Sequence, residues 1–255
     1  MTEIAESGPT GPASPGGAPR AGQRGQVTQT VVREIQNMIR SGALAPGAAL
    51  PPQRALAREL GVSRAALREA LSILHTLGMV RVEPARGTFV AAPGSGAPGP
   101  ASEGIGSWRF SSRYTPQEVY QFRQLAESHA AGLAAIHAEQ AQLDRLRENL
   151  GAFREAVRGM DLVGSAQCDF EFHQMIMQFS GNRLLADLHR TYHGVLLESQ
   201  RLPLARRSRL WEPVIEHERI LKALEMHDPD GAGYYMRVHL SRAADRVGVR
   251  IETLA

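Results

Sequence analysis

Residues 60–78 read Leu60-Gly61-Val62-Ser63-Arg64-Ala65-Ala66-Leu67-Arg68-Glu69-Ala70-Leu71-Ser72-Ile73-Leu74-His75-Thr76-Leu77-Gly78, and they decide the fold of the N-terminal part. Ser63 can cap a helix that continues to Leu77 and stops at Gly78. At 100° per residue, Leu67, Ala70, Leu71 and Leu74 cluster on one side. Ala65, Arg68 and Ser72 cluster on the other, with Arg64 at its edge. Upstream, the pattern predicts a helix from about Gln53 to Leu60, ended by Gly61, which is free to turn left-handed. Only Gly61-Val62-Ser63 separates the two helices. A tight, glycine-started turn of this kind is the helix-turn-helix signature.

Working outward, Val31, Ile35, Met38 and Ile39 mark one face of an earlier helix that stops at Ser41-Gly42. Pro46-Gly47 makes a turn. On the other side, Met79–Glu83 and Thr88–Ala91 read as two strands joined by Pro84-Ala85-Arg86-Gly87, a β-hairpin with an arginine and a glycine at its tip. Such a wing suits a minor groove or flanking phosphates. In the third helix, Arg68 has the reach for guanine edges and Arg64 for a phosphate or base near the helix start. The charge agrees: between Val27 and Ala92 eight arginines face four glutamates, a local +4 in a chain of net +3. A basic surface confined to one segment is what phosphate binding requires, although an ordinary solvated basic face looks the same on charge alone.

The 255 residues suffice for two domains, and 43% apolar composition allows a buried core. Residues 1–26, rich in Gly, Pro, Ala and Ser, read as a disordered tail rather than a signal peptide. Residues 27–92 form the winged unit, 93–113 a linker, and 114–255 a helical domain. No apolar run is long enough for a transmembrane helix, so no membrane partner is expected. The single cysteine, Cys168, fits a reducing compartment. The expected location is the cytoplasm, associated with the nucleoid.

The N-terminal motifs resemble the DNA-binding domain of the GntR superfamily. The matching pieces are Ile39–Gly47 followed by Leu50-Pro51, then Leu60–Arg64 with Arg68–Leu71, then Arg86–Val90. The resemblance implies DNA contacts through Arg54, Arg64, Arg68 and Gly87; Ser63, Ala65, Arg86 and Thr88 complete the expected face. One departure stands out. The family usually has Ser-Glu before the second-helix arginine, and this chain has Pro52-Gln53. Proline suits a first helical turn, but the missing glutamate changes what orients Arg54.

Beyond the linker, Thr115-Pro116-Gln117-Glu118 predicts a helix start with capping hydroxyl, Pro at N1 and Glu at N3, continuing to about His137. Arg123 falls inside its apolar stripe of Val119, Phe122, Ala126, Ala130 and Leu133. A buried guanidinium needs an anion, either a structural carboxylate or an acidic ligand. Asp169 and His173 lie at i and i+4 among Phe172, Ile176 and Phe179. His217 falls among Val214, Ile220, Leu221 and Leu224, and His239 among Tyr235, Met236 and Ala243. Each faces inward. They read equally as hydrogen-bonded core residues and as a metal site in a bundle interior. One Asp and three His suit a divalent metal, with Zn²⁺ first and Ni²⁺, Fe²⁺ or Mn²⁺ as alternatives. His189 and His193 form a further i, i+4 pair, read as core and edge residues or as pocket lining. Arg201, Arg206, Arg207 and Arg209 around Pro203 read as a solvated loop, with domain contact as the alternative.

Residues 114–251 resemble the FCD domain of the FadR-like branch of the same superfamily. The resemblance rests on Arg123 with Glu127, Asp169–His173, Ser180-Gly181-Asn182, Glu216–Ile220 and His239-Leu240. It implies that Asp169, His173, His217 and His239 bind a divalent metal, and that Arg123 takes the carboxylate of a small organic acid; His193 joins the expected effector set. The expected fold is therefore mainly α: a winged helix-turn-helix followed by an all-helical antiparallel bundle. The expected function is a ligand-responsive regulator, with repression expected as the commoner outcome among relatives, bound as a homodimer to an inverted-repeat duplex. Two alternatives are a metal-dependent hydrolase, with Glu171 or Glu216 as base, and an architectural DNA binder with a structural metal only.

Overall fold

The computed structural model describes residues 21–92 and 108–251. The tail expected up to residue 20 and most of the expected linker lie outside the described residues. Helix α1 (Ala21–Arg40) begins within the stretch read as tail, and α2 (Gln53–Glu59) and α3 (Arg64–Thr76) follow. Between them Gly61 adopts φ +63°, the left-handed value the short turn demands. Ser63 caps α3, its hydroxyl accepting from the Ala66 amide at 3.2 Å. Leu67, Ala70, Leu71 and Leu74 are all buried, and α3 packs against α1. Strands β1 (Val80–Glu83) and β2 (Gly87–Val90) pair antiparallel, with Val80 opposite Val90 and Glu83 opposite Gly87. Ala49 adds a bridge to Phe89.

The second domain is helical throughout its described part: α4 (Pro116–His137), α5 (Gln140–Arg158), α6 (Leu162–Phe179), α7 (Arg183–Thr191), α8 (His193–Leu204), α9 (Trp211–Glu225) and α10 (Pro229–Arg246). Thr115 and Glu118 form the expected capping box at the start of α4. Asn182 and Asp228 cap α7 and α10. The most extensive packing is between α4 and α10. It depends on small residues: a Cβ on Gly132 would lie 3.2 Å from the Pro229 carbonyl, and one on Gly233 would lie 3.2 Å from that of Ser128.

Two features differ from the sequence reading. His189 and His193 do not share a helix, because the chain breaks at Tyr192 between α7 and α8. The arginines around Pro203 are not all in a solvated loop. Arg201 is buried within α8, and Arg207 donates to the Gly78 carbonyl at 3.3 Å. One apolar cluster runs continuously from Val31 and Leu74 in the winged domain to Leu162, Leu204 and Leu240 in the bundle. The two domains therefore share a core.

Candidate functional site

The winged domain presents Arg54, Ser63, Arg64, Ala65, Arg68, Arg86 and Gly87 at the surface. Thr88 is 8% exposed; its side chain faces the core and its carbonyl accepts from Leu50 at 2.8 Å. Arg86, at the wing tip, pairs with Glu83 and stands 5.7 Å from the Phe89 ring. Pro52 occupies the N-cap of α2 with no side-chain cap bond, so the Pro-Gln departure leaves the amides there without a capping side chain.

In the bundle, α6, α9 and α10 bring Asp169, His173, His217 and His239 together. One ligand-type atom from each lies within 4.8 Å of all the others, and all four residues are buried. What stands behind them is as informative. Glu127 on α4 meets His173 Nδ1 at 2.6 Å, and Glu216 on α9 accepts from His239 Nδ1 at 2.8 Å. The 2.8 Å bond to Glu216 fixes Nδ1 of His239 as the N–H, and the 2.6 Å approach of Glu127 favours the same tautomer in His173, leaving Nε2 of each ring as a lone pair. Those two Nε2 atoms face one another at 3.2 Å. Two lone pairs so placed repel unless a cation lies between them. The spacing fits ligation as well: at Zn–N distances of about 2.0–2.1 Å, tetrahedral ligand nitrogens lie roughly 3.3–3.4 Å apart.

His217 completes the group. Its ring stacks on Phe172 at 4.1 Å and 11°, and neither ring nitrogen has a hydrogen-bond partner. Nε2 lies 3.4 Å from Asp169 Oδ1. Burial lowers the pKa of His173, His217 and His239, keeping all three imidazoles neutral and ready to donate a lone pair. Burial also raises Asp169 to about 6, against the pull of His239 and Arg123. The donor set therefore fits a divalent metal.

Arg123 is 1% exposed, and its anion is a structural carboxylate. Nε donates to Glu127 Oε1 at 2.9 Å and NH2 to Oε2 at 3.4 Å, while NH1 reaches the Ser199 hydroxyl at 3.3 Å. Burial would raise Glu127, but Arg123 and His173 hold it below the usual carboxylate range. On the opposite side Arg246, also buried, clamps Glu216 and Glu212 and keeps NH1 unpartnered. His189 is buried with both ring nitrogens unpartnered, and burial lowers its pKa to about 4. His193 is exposed, its ring 4.6 Å from that of Phe170.

The supporting groups were the part that periodicity does not reveal. Glu127 is one helical turn from Arg123, a spacing that signals a pair, but its second bond to another helix has no local signature. Glu216 points away from its neighbour His217, as helical geometry requires, and finds His239 on α10. Glu171 turns outward to Gln167 at 2.7 Å and takes no part.

Comparison with known proteins matches this division. Residues 27–90 match the family described as bacterial regulatory proteins, gntR family, and residues 118–242 match the FCD domain. The HTH-type transcriptional regulator LutR of Bacillus subtilis (strain 168) is 29% identical over 213 residues, covering 82% of this chain and 95% of that protein. The HTH-type transcriptional repressor NanR of Cronobacter sakazakii is 27% identical over 222 residues, covering 86% and 84%. An uncharacterized HTH-type transcriptional regulator in an unstable DNA locus of Streptomyces ambofaciens is 31% identical over 219 residues, covering 84% and 82%. These families and relatives are transcription regulators and not enzymes, which sets the hydrolase alternative aside. With its winged helix-turn-helix and helical second domain, the chain belongs to the GntR family of bacterial transcription regulators and carries an FCD domain.

Proposed function

We propose that this regulator is a metal-dependent sensor of a small organic acid, and that it acts as a repressor on an inverted-repeat operator as a homodimer. The observation that carries the metal reading is the facing pair of Nε2 atoms, each ring backed by a buried carboxylate. Asp169, His173, His217 and His239 would hold the metal, Zn²⁺ suiting three imidazoles and a carboxylate. A bound divalent ion would supply a Lewis-acidic anchor for the acid's carboxylate.

The effector reading rests on Arg123. Its 3.3 Å bond to Ser199 is among its longer contacts, and an arriving carboxylate would offer NH1 a charged acceptor in its place. His193, at the rim beside Phe170, would flank the entry. On the DNA side, Arg54, Ser63, Arg64, Ala65 and Arg68 would read the major groove and its phosphates, and Arg86 and Gly87 of the wing the adjoining groove, whereas Thr88 faces the core. Repression is supported by the NanR relative, which is a transcriptional repressor. The cytoplasm is where such a DNA-bound protein works; no described helix is long and apolar enough to cross a membrane. An exposed apolar face on α4 and α10, with Leu125, Ile136 and Tyr234, is available to a second copy.

Mass-spectrometric metal analysis of the purified protein, beside an Asp169→Ala/His217→Ala variant, tests the core of this reading. We expect about one divalent metal per chain, lost in the variant, and thermal stabilisation by an organic acid that requires Arg123. Background metal in both proteins would reduce the cluster to core residues.

A further inference from the structure

The shared core raises the question of what fixes the pose of the winged domain, and two buried polar contacts answer it. The first joins α1 to α6. Gln36, 2% exposed, donates from Nε2 to Asp161 Oδ1 at 2.7 Å, and its Oε1 accepts from the Val163 amide at 3.0 Å. Asp161 is the N-cap of α6, accepting from Gly164 at 2.8 Å. About two and three helical turns further along the same α6 stand Asp169 and His173. The second contact joins α3 to α8. Thr76 Oγ1 donates to Glu198 Oε1 at 2.8 Å, both residues being buried, and Arg201 reaches Glu198 Oε2 at 3.5 Å.

The next residue, Ser199, is the one Arg123 touches. Its hydroxyl accepts from Arg123 NH1, and its carbonyl accepts from the Tyr120 hydroxyl at 2.8 Å. One turn of α8 is therefore held from two directions. Glu198 faces the recognition helix, and Ser199 faces α4. From Ser199 the path continues through Arg123 and Glu127 to His173.

We propose that Gln36, Thr76 and Glu198 are positioning residues that latch the winged domain to α6 and α8, and so couple occupancy of the Asp169/His173/His217/His239 site to the pose of recognition helix α3. The inference rests on that cluster being a metal site.

The chemistry of the latches favours this over simple adhesion. A buried carboxylate held by a hydroxyl and a distant guanidinium is weak glue. Apolar residues of the same volume would commonly hold as well or better. A polar contact differs in its alternative state, because water can satisfy both partners when they part. Its net worth is then modest, because the hydrogen bonds lost are replaced by bonds to water. The continuous apolar cluster keeps the domains together, while the polar latches set their register and can exchange at low cost. A two-fold operator reads the spacing of two recognition helices, so a change of pose is a change of affinity.

Contiguity alone does not establish coupling, so the test reads a ratio. A duplex is selected for binding by the full-length wild type from a random-sequence pool, and its affinity is measured with saturating Zn²⁺ and with EDTA. Zn²⁺ affinity without DNA is measured in parallel. Couplings between sites run from about 5- to 150-fold, and the wild-type ratio is expected in that range, in either direction. Gln36→Leu/Thr76→Val is expected to bring the ratio within about twofold of one while Zn²⁺ still binds the free protein with near wild-type affinity. Gln36→Leu combined with Thr76→Ser, which keeps the hydroxyl, is expected to recover part of the ratio. Retention of the wild-type ratio by the valine variant overturns the proposal. So does a wild-type ratio of one with zinc bound, an outcome that leaves the metal reading standing. Failure of the wild type to bind Zn²⁺ at all overturns both together.

Discussion

Replacing His217 by leucine should stabilise the metal-free protein and cancel what metal adds. His217 is fully buried, with Nδ1 and Nε2 both unpartnered and its ring stacked on Phe172 at 4.1 Å. The neutral imidazole that burial enforces holds one N–H and one lone pair with no hydrogen-bond partner in the protein. An unsatisfied buried polar group costs about 1–3 kcal/mol. Leucine has nearly the volume of histidine, and such exchanges cost less than about 1.5 kcal/mol in repacking. Two such groups cost about 2–6 kcal/mol, and subtracting the full ~1.5 kcal/mol of repacking leaves a gain of roughly 0.5–4.5 kcal/mol for the metal-free variant. At about 2–4 °C per kcal/mol for chains of this size, the melting temperature should rise by roughly 1–18 °C. Zinc at 100 times its Kd adds about 2.7 kcal/mol to the wild type and little to a variant short of one ligand. Scanning calorimetry in EDTA and in excess Zn²⁺ gives all four melting temperatures. A variant that melts below the wild type in EDTA, with zinc raising both equally, would show His217 to be an ordinary packed residue and refute the reasoning.

Three further outcomes are expected. Glu216→Gln keeps an acceptor for His239 but removes the charge behind it, and should weaken Zn²⁺ binding by about 10–100-fold in a competition titration; unchanged affinity would detach Glu216 from the site. Arg68→Ala should cost about 1–3 kcal/mol on the selected duplex and relax base preference at one position. Arg86→Ala should instead weaken all sequences alike and lower the salt dependence by about one counterion. The reverse assignment would exchange the base-reading and phosphate roles of α3 and the wing. Leu125→Glu places a charge on a residue that is 77% exposed on α4, and sedimentation velocity should then show monomers where the wild type sediments as a dimer. A dimeric variant would locate the interface elsewhere.

Much of this was legible in the sequence because it is local. Ser63, Gly61 and the apolar spacing of Leu67, Ala70, Leu71 and Leu74 announce a corner and a buried face, and Thr115 to Glu118 a capping box, from residues within a turn or two of each other. The metal cluster was half legible. Inward polar residues at Asp169, His173, His217 and His239 break an apolar stripe, and that anomaly survives without knowing which helices meet. What periodicity cannot supply is the partner on another helix. Glu216 reads in the sequence only as a candidate base beside a ligand, and its bond to His239 needs α10 laid beside α9. The Glu127 contact to His173 needs α4 and α6 side by side. The same limit explains Arg201 and Arg207: an arginine-rich stretch around a proline reads as solvated until the recognition helix is packed against it. It also locates the specificity of this chain. The four ligand-type residues state only that a metal fits, whereas the groups behind them set how the site can respond. His239 is held by a carboxylate clamped to Arg246, at the end of its own helix. His173 is held by one clamped to Arg123, which also touches Ser199, beside the Glu198 that meets the recognition helix. The contacts behind the first ring stay within the bundle, whereas those behind the second lead to Ser199, next to the residue that meets Thr76 of α3.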